Sequence, residues 1–211
     1  MKTDATKDYS EMAAPIEFYF DFSSPYGYIA SRRIDDLAAK FGRAVSWRPF
    51  MLGSVFRIAG TQPLTEYPLK GDYSRHDFAR SARLYGIPFD MPEKFPISSI
   101  AAARGFYWLE RQDPAAAKRF ARAAYQAYFA DGRDISDPEV LSAVARESGS
   151  DAAALMAATQ APEMKAHLKA VGDEAVARGV FGSPFIFADG EPFWGADRLD
   201  MLARWLETGG W

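Results

Sequence analysis

A strand pattern that leads directly into a helix start restricts the fold of this chain more than anything else in it. In residues 16–22 large apolar side chains alternate with more polar neighbours, which is typical of a strand with one buried face. The Ser-Ser-Pro sequence that follows offers a hydroxyl cap and a proline at the first helical position, and apolar side chains then recur at helical spacing as far as Gly42. A second alternating run covers residues 44–50. This order predicts a right-handed βαβ unit with parallel strands.

The rest of the chain divides into a long helical stretch and a short C-terminal α/β pattern. After Gly53 the sequence predicts a loop of turn-forming residues at 60–63 and then almost only helices. Asp189-Gly190, a strong hairpin signal, separates two short strand patterns, and Asp197 is placed to cap a last helix. The predicted helices of the long stretch cover residues 72–85, 98–111, 114–130, 138–147, 151–159 and 162–178.

Composition removes several classes of function. The chain has no cysteine, which excludes disulfides and cysteine nucleophiles, so any thiol chemistry needs a thiol from another molecule. A net charge of −3 offers no basic footprint for nucleic acid, and no apolar run is long enough for a membrane helix. His76 and His167 lie in helical patterns among charged residues, where we expect solvated side chains and no metal site. We therefore expect a soluble, cytoplasmic protein with no nucleic-acid or membrane partner.

Two positions are candidate sites, and each has a plain structural alternative. Ser24 lies between the first strand and the first helix, where free N–H groups and the helix dipole favour an anion or a thiolate. The local sequence by itself favours the plainer alternative, a simple helix cap at Ser23 or Ser24. Ser183-Pro184 precedes a strand. A cis peptide bond there would expose a backbone edge for docking, whereas a trans proline would only begin an edge strand.

The element order and four motifs together resemble a known family. Strand, helix, strand, helical insert, hairpin and final helix are similar to the thioredoxin fold as elaborated in DsbA-like proteins, with Ser24 at the position of the first redox cysteine. More narrowly, the chain resembles 2-hydroxychromene-2-carboxylate isomerases and the related kappa-class glutathione transferases. The motifs that carry this resemblance are FDFSSPY at 20–26, LYGIP at 84–88, VFGSP at 180–184 and FWGADRL at 193–199.

The resemblance implies an α/β, DsbA-like thioredoxin fold with a large all-helical insertion. Its expected division has three parts. Residues 1–14 form a mobile N-terminal extension, residues 15–53 and 172–211 form the thioredoxin-like domain, and residues 54–171 form the helical insertion.

The resemblance also implies glutathione as the cofactor. Ser24 is the predicted catalytic residue, because the matched serine hydrogen-bonds the glutathione sulfur and a hydroxyl at a helix start stabilises a thiolate. Ser183, beside Pro184, is expected to pair through its main chain with the glutathione peptide. Two of the further contacts given below have plain alternatives that stay open: Asp197 also suits a helix cap, and Lys70 also suits a solvated surface side chain. The further predicted glutathione contacts are Trp194, Gly195, Ala196, Asp197, which takes the γ-glutamyl ammonium, and Lys70, which meets a carboxylate.

The segment expected to contact substrate departs from the family pattern. After the second strand the family often has a lysine and then Asn followed by Arg or Lys, whereas this chain has Arg57 and then Thr61-Gln62. Arg57 can still clamp a carboxylate, but Thr61 and Gln62 carry no charge, so carboxylate recognition is weakened. Phe95 is a candidate wall for an aromatic ring, with a position in the core as the alternative.

The predicted function is that of a glutathione-dependent cis–trans isomerase of the 2-hydroxychromene-2-carboxylate type in aromatic catabolism, acting as a homodimer on a small aromatic substrate. The family reaction adds the thiolate to a conjugated double bond, rotates the resulting single bond and releases the thiolate. A kappa-like glutathione transferase and a non-catalytic DsbA-like peptide-binding module stay open as alternatives. A serine hydrolase is the poorest option because no general base accompanies the serine.

Overall fold

One mixed four-stranded sheet forms the centre of the computed structural model, which describes residues 14–211. The predicted extension at residues 1–14 therefore lies outside the described residues, except for Ala14. The parallel pair β1–β2 confirms the predicted βαβ unit, and the hairpin β3–β4 turns at Asp189 and Gly190, whose φ angles are 54° and 88°. The strands are β1 (Ile16–Phe20), β2 (Val45–Pro49), β3 (Phe185–Ala188) and β4 (Glu191–Trp194), in the order β2-β1-β3-β4.

Ten α-helices surround the sheet in the described residues, and the six predicted for the long stretch are confirmed to within two residues at each end. Local caps explain this agreement. Asp113, Asp137 and Asp151 each accept a hydrogen bond from a backbone N–H of the helix that follows. The helices are α1 (Pro25–Ser31), α2 (Ile34–Ala39), α3 (Leu52–Ala59), α4 (Lys70–Leu84), α5 (Ile100–Glu110), α6 (Pro114–Phe129), α7 (Pro138–Glu147), α8 (Ala152–Gln160), α9 (Pro162–Ala177) and α10 (Leu199–Thr208).

The prediction of one continuous helix up to Gly42 is wrong, because the chain breaks between α1 and α2. Arg33 has a φ of −124°, outside the helical region, and its N–H bonds the carbonyl of Ala30, three residues back. Its guanidinium lies 3.6 Å from the ring centre of Tyr85 and donates to Asp200 at 2.9 Å. These contacts are with distant parts of the chain, so local spacing carried no sign of the break.

Helix α3 is a further difference, because the sequence pattern predicts no element between Gly53 and the loop at 60–63. Met51, at its N-cap position, makes no side-chain capping bond. The N–H of Leu52 instead donates to the carboxylate of Asp21 at 2.8 Å, so the helix is capped by a residue far away in sequence. Gly60 ends the helix with a φ of 65°, and the segment after it is a loop as predicted.

Aromatic side chains fill the space between β1, β2 and the helices α5 and α6. Phe18 and Phe20 meet Trp47 edge-on, with ring centres 5.2 and 5.4 Å apart. Phe20 also contacts Phe106 at 6.1 Å and Tyr125 at 5.6 Å. All five side chains are buried, and each contributes on the order of 2–3 kcal/mol by leaving water. This packing holds the end of β1, where the candidate site begins.

The opposite face of β1 carries a charged network that attaches the end of α9. Arg178 donates to both carboxylate oxygens of Glu17, at 2.6 and 2.8 Å, and to the hydroxyl of Tyr19 at 2.9 Å. Arg48 lies 3.1 Å from the same carboxylate. The hydrogen bonds from Arg178 lower the pKa of Glu17 in spite of its partial burial.

The expected division into a thioredoxin-like domain and a helical insertion stays a prediction. Its boundaries at 53/54 and 171/172 fall inside α3 and α9. No helix within residues 14–211 is both long enough and apolar enough to cross a bilayer.

Candidate active site

Ser24 is the N-cap of α1, with Pro25 at the first helical position. Its hydroxyl oxygen accepts the N–H of Gly27 at 3.0 Å, and the hydroxyl donates to the carbonyl of Ser183 at 2.9 Å. Only 5% of Ser24 is exposed. The hydroxyl therefore lies at a helix start, where the dipole favours negative charge, and its single proton is held by a backbone carbonyl.

The Ser183–Pro184 peptide bond is cis. Ser183 is bound through both main chain and side chain: its carbonyl accepts from Ser24, and its hydroxyl accepts the N–H of Asp21 at 3.0 Å. The carbonyl of Pro184 accepts the N–H of Gly195 at 3.1 Å. The fold thus brings Ser24, the cis-proline loop and the segment after β4 together.

Residues 194–197 lie beside the cis-proline loop. The indole of Trp194 lies over Gly182, where any Cβ would collide with it, and about half of the tryptophan is exposed. Gly195 has a φ of 114°, and a Cβ there would collide with the carboxylate of Asp197. Buried Ala196 begins the 3₁₀ turn that contains Asp197. The chain is therefore folded tightly so that the Asp197 carboxylate lies back over Gly195.

The expectation that Asp197 caps the last helix is wrong. Helix α10 begins at Leu199 after Arg198, and no side chain caps it. Asp197 lies in the preceding 3₁₀ turn, and within residues 14–211 its exposed carboxylate forms one ion pair, with the neighbouring guanidinium of Arg198 at 2.7 Å. An exposed pair of this kind contributes little to stability. The carboxylate of Asp197 is thus available to a ligand.

Tyr26 connects α1 to α4. Its hydroxyl donates to Asp77 at 2.5 Å, and its ring meets Phe78 edge-on with centres 5.0 Å apart. Burial, reinforced by the hydrogen bond to Asp77, raises the pKa of Tyr26 far above its usual value. Tyr26 is therefore a neutral anchor that holds α4 against the start of α1, and α4 begins with Lys70.

The remaining predicted residues lie on the α3–α4 segment. Lys70 is exposed, with its Nζ 5.3 Å from the ring centre of Tyr67. Arg57 is exposed in the last turn of α3, and Thr61 and Gln62 are exposed in the loop that follows. Within residues 14–211 no hydrogen bond or ion pair joins these four side chains to Ser24.

Phe95 and the histidines are placed by packing. Phe95 is half-buried, 6.5 Å from each of the rings of Phe78 and Phe129, so one side of it belongs to the core. His76 is exposed as expected. The expectation of a solvated side chain is wrong for His167, which packs edge-on at 4.6 Å against Tyr107 and has its pKa lowered by burial.

Sequence reasoning missed Asp21 as a member of the site. Its carboxylate accepts the N–H and the hydroxyl of Ser23 at 2.8 and 2.9 Å. Asp-x-Ser after a strand is a turn signal that was available in the sequence. The contacts of Asp21 with Leu52 and Ser99 are long-range, and no local pattern announces them.

The model of the DSBA-like thioredoxin domain family matches residues 15–207 of this chain. The chain belongs to that family. Among similar proteins, a 2-hydroxychromene-2-carboxylate isomerase from Sphingobium xenophagum is 34% identical over 197 residues, which cover 92% of this chain and 99% of the relative. A protein from Caenorhabditis elegans named glutathione S-transferase kappa 2 is 28% identical over 204 residues, covering 90% and 91% of the two chains.

A similar solved structure agrees with these comparisons. A 2-hydroxychromene-2-carboxylate isomerase superposes with a TM-score of 0.81 at 30% identity, covering 92% of this chain and 94% of that one. The predicted family, the DsbA-like thioredoxin fold and the prediction of an isomerase-like enzyme are thereby confirmed.

Proposed function

We propose that this member of the DSBA-like family is a glutathione-dependent cis–trans isomerase of small aromatic acids of the 2-hydroxychromene-2-carboxylate type. The observation that carries the proposal is the buried Ser24 hydroxyl at the start of α1, beside the cis-proline loop, in a chain without cysteine. Relatives named as this isomerase and as kappa-class glutathione transferases support it.

The residues around Ser24 fit a thiol brought by another molecule. A hydroxyl donor and a helix N-terminus both favour a thiolate over a thiol, and the chain has no sulfur nucleophile of its own. When bound, glutathione supplies the thiolate that adds reversibly to the conjugated double bond of the substrate and leaves after rotation about the resulting single bond. Ser24 therefore stabilises charge and forms no covalent bond.

The hydrogen bond between Ser24 and Ser183 suggests how a ligand is received. The Ser24 hydroxyl donates to the Ser183 carbonyl at 2.9 Å, and turning towards a bound sulfur would leave that carbonyl without a donor. A peptide N–H from the ligand can take its place, because a ligand peptide that pairs with the Ser183 backbone as an added strand would bring such a donor. The Ser24 hydroxyl then turns to the sulfur as the ligand N–H bonds the Ser183 carbonyl. A thiol without a neighbouring peptide group is therefore expected to bind less tightly.

Asp197 supplies the second contact for glutathione. Its carboxylate is exposed and does not cap α10, and its negative charge suits the γ-glutamyl ammonium. The exposed Trp194 and the buried Ala196 lie close to Asp197 in the chain. Among the exposed cations of the α3–α4 segment, Lys70 and Arg57 are the ones proposed to meet the carboxylates of glutathione and substrate. Thr61, Gln62 and Phe95 are the proposed neighbours of the substrate.

The test is ultraviolet monitoring of 2-hydroxychromene-2-carboxylate with and without glutathione, with S-methylglutathione as a matched control. We expect turnover only with glutathione. We also expect S-methylglutathione to bind without supporting turnover, because it keeps the peptide and lacks the ionisable thiol. Equal turnover without glutathione would contradict the proposal.

The same experiment separates the alternatives. Accumulation of a stable conjugate would identify a transferase, and titration showing no affinity for glutathione would favour a peptide-binding module. The homodimer expected from the resemblance stays a prediction, and light scattering of the purified protein would measure it directly. The cytoplasmic location also stays a prediction.

A further inference from the structure

A buried carboxylate three residues before Ser24 has no role in the chemistry described above. Asp21 follows the last residue of β1, and 2% of it is exposed. Its Oδ1 accepts the N–H and the hydroxyl of Ser23 at 2.8 and 2.9 Å and the hydroxyl of Ser99 at 2.6 Å. Its Oδ2 accepts the N–H of Leu52 at 2.8 Å. All four donors are uncharged, so none of them neutralises the carboxylate.

The donors belong to three helix starts. Ser23 precedes the cap of α1, Leu52 is the first residue of α3, and Ser99 is the residue before α5. Because N-terminal N–H groups and the helix dipole favour negative charge, the converging helix ends compensate the burial of the Asp21 carboxylate. A neutral side chain at this position would leave the start of α3 without its acceptor.

The main chain of Asp21 holds both partners of the Ser24–Ser183 hydrogen bond. Its carbonyl accepts the N–H of Ser24 at 2.9 Å and the hydroxyl of Tyr125 at 2.8 Å. Its N–H donates to the Ser183 hydroxyl at 3.0 Å. The Ser24 turn, the cis-proline loop and the start of α3 therefore all meet at one residue.

We propose that Asp21 is a positioning residue, whose carboxylate keeps the Ser24 turn and the start of α3 in one fixed geometry. The proposal rests on the proposed function, in which Ser24 stabilises a bound thiolate. The negative charge of Asp21 disfavours a thiolate nearby, whereas order at the helix starts favours one. Positioning is the dominant role of Asp21 if the loss of order raises the pKa of the bound thiol by more than the removal of the charge lowers it.

The variant Asp21→Asn shows which effect is larger, because loss of the charge lowers the pKa of a nearby thiol and loss of order raises it. An amide oxygen at the Oδ1 position still accepts three hydrogen bonds, but the NH₂ group at the Oδ2 position directs its donors at the N–H of Leu52. The variant therefore removes both the charge and the contact with α3 while preserving the size of the side chain.

Asp134→Asn is the matched control. Asp134 accepts the N–H and the hydroxyl of Ser136 at 2.8 and 2.5 Å, which repeats the local turn of Asp21 and Ser23. Its remaining partner is the exposed Lys94, at 2.7 Å. This control reports the cost of altering such a turn away from the proposed site.

The first measurement is the pKa of the thiol of bound glutathione, read from thiolate absorbance, together with kcat/KM. We expect Asp21→Asn to raise that pKa and to lower kcat/KM about tenfold or more, and Asp134→Asn to change neither. A bound-thiol pKa that is lowered or unchanged in Asp21→Asn would overturn the proposal, because the charge and not the geometry would then be the larger effect of Asp21.

Amide hydrogen exchange of the ligand-free protein keeps the inference separate from the proposed function. We expect Asp21→Asn to speed exchange of the Ser23 and Leu52 amides and to leave α7 unchanged. If the unmodified protein binds no glutathione, the proposed function fails. Faster exchange at these two amides still supports Asp21 as the organiser of both helix starts, and unchanged exchange overturns it.

A milder variant covers the case in which Asp21→Asn fails to fold. Ser99→Ala removes one donor and keeps the carboxylate. We expect shifts in the same directions but smaller, and wild-type exchange, bound-thiol pKa and turnover would overturn the proposal.

Discussion

Replacing Ser24 by alanine tests the proposed chemistry at its centre. The side chain accepts from Gly27 and donates to Ser183, both within 3.0 Å. Loss of the cap costs about 1 kcal/mol of unfolding free energy, and loss of the donor to a buried carbonyl costs about 1 kcal/mol more. A hydrogen bond to a thiolate contributes roughly 1.5–3 kcal/mol, so kcat/KM should fall about 10- to 150-fold.

The assays are chemical denaturation and the glutathione-dependent isomerisation of 2-hydroxychromene-2-carboxylate. Asp137→Ala is the control for the cap alone, because Asp137 also precedes a proline at the first helical position and accepts a backbone N–H at 2.8 Å. We expect Asp137→Ala to lose about 1 kcal/mol of stability and Ser24→Ala about 1 kcal/mol more, with a loss of turnover only for Ser24→Ala. Undiminished turnover in Ser24→Ala, or an equal loss in Asp137→Ala, would refute the reasoning.

Three further predictions follow from particular contacts. Asp197→Ala should raise the KM for glutathione about tenfold with little change in kcat, and an unaltered KM would contradict its assigned role. Gly195→Ala should cost about 1–2 kcal/mol and weaken glutathione binding, because φ is 114° and the Cβ meets the Asp197 carboxylate; a melting curve and a titration measure both. Arg178 lowers the pKa of Glu17 below its ordinary 4.5, so the contribution of Glu17 to stability is present above that value and is lost as the pH falls through the lowered one. Glu17→Gln should therefore flatten the acid limb of the stability curve measured by denaturation between about pH 2 and 5, and an unchanged limb would refute this.

Local signals in the sequence were sufficient for most of the elements. The caps Asp113, Asp137 and Asp151 each act on the helix directly after them, so these helix starts were readable. Asp189-Gly190 suits the positive φ angles of a two-residue turn. The order of these elements, with the four motifs, was enough to predict the family and the fold.

Contacts between distant segments decided the rest. Helix α3 begins where Asp21 accepts the N–H of Leu52, the first helical run breaks where Arg33 meets Tyr85 and Asp200, and a 3₁₀ turn removes Asp197 from its expected cap. Asp21 and Leu52, and Arg33 and its two partners, lie far apart along the chain. The 3₁₀ turn at Asp197 is local, but no spacing in the sequence indicated it.

The sequence by itself determined most of the secondary elements and the family, and it showed that any thiol chemistry needs a thiol from outside, because each of these depends on local spacing or on composition. Only the tertiary structure decided that Ser24, Ser183 and Gly195 lie together and that Asp21 connects three helix starts. The physical reason is that buried polar groups must find partners, and folding selects those partners by their position in space and not by their distance along the chain.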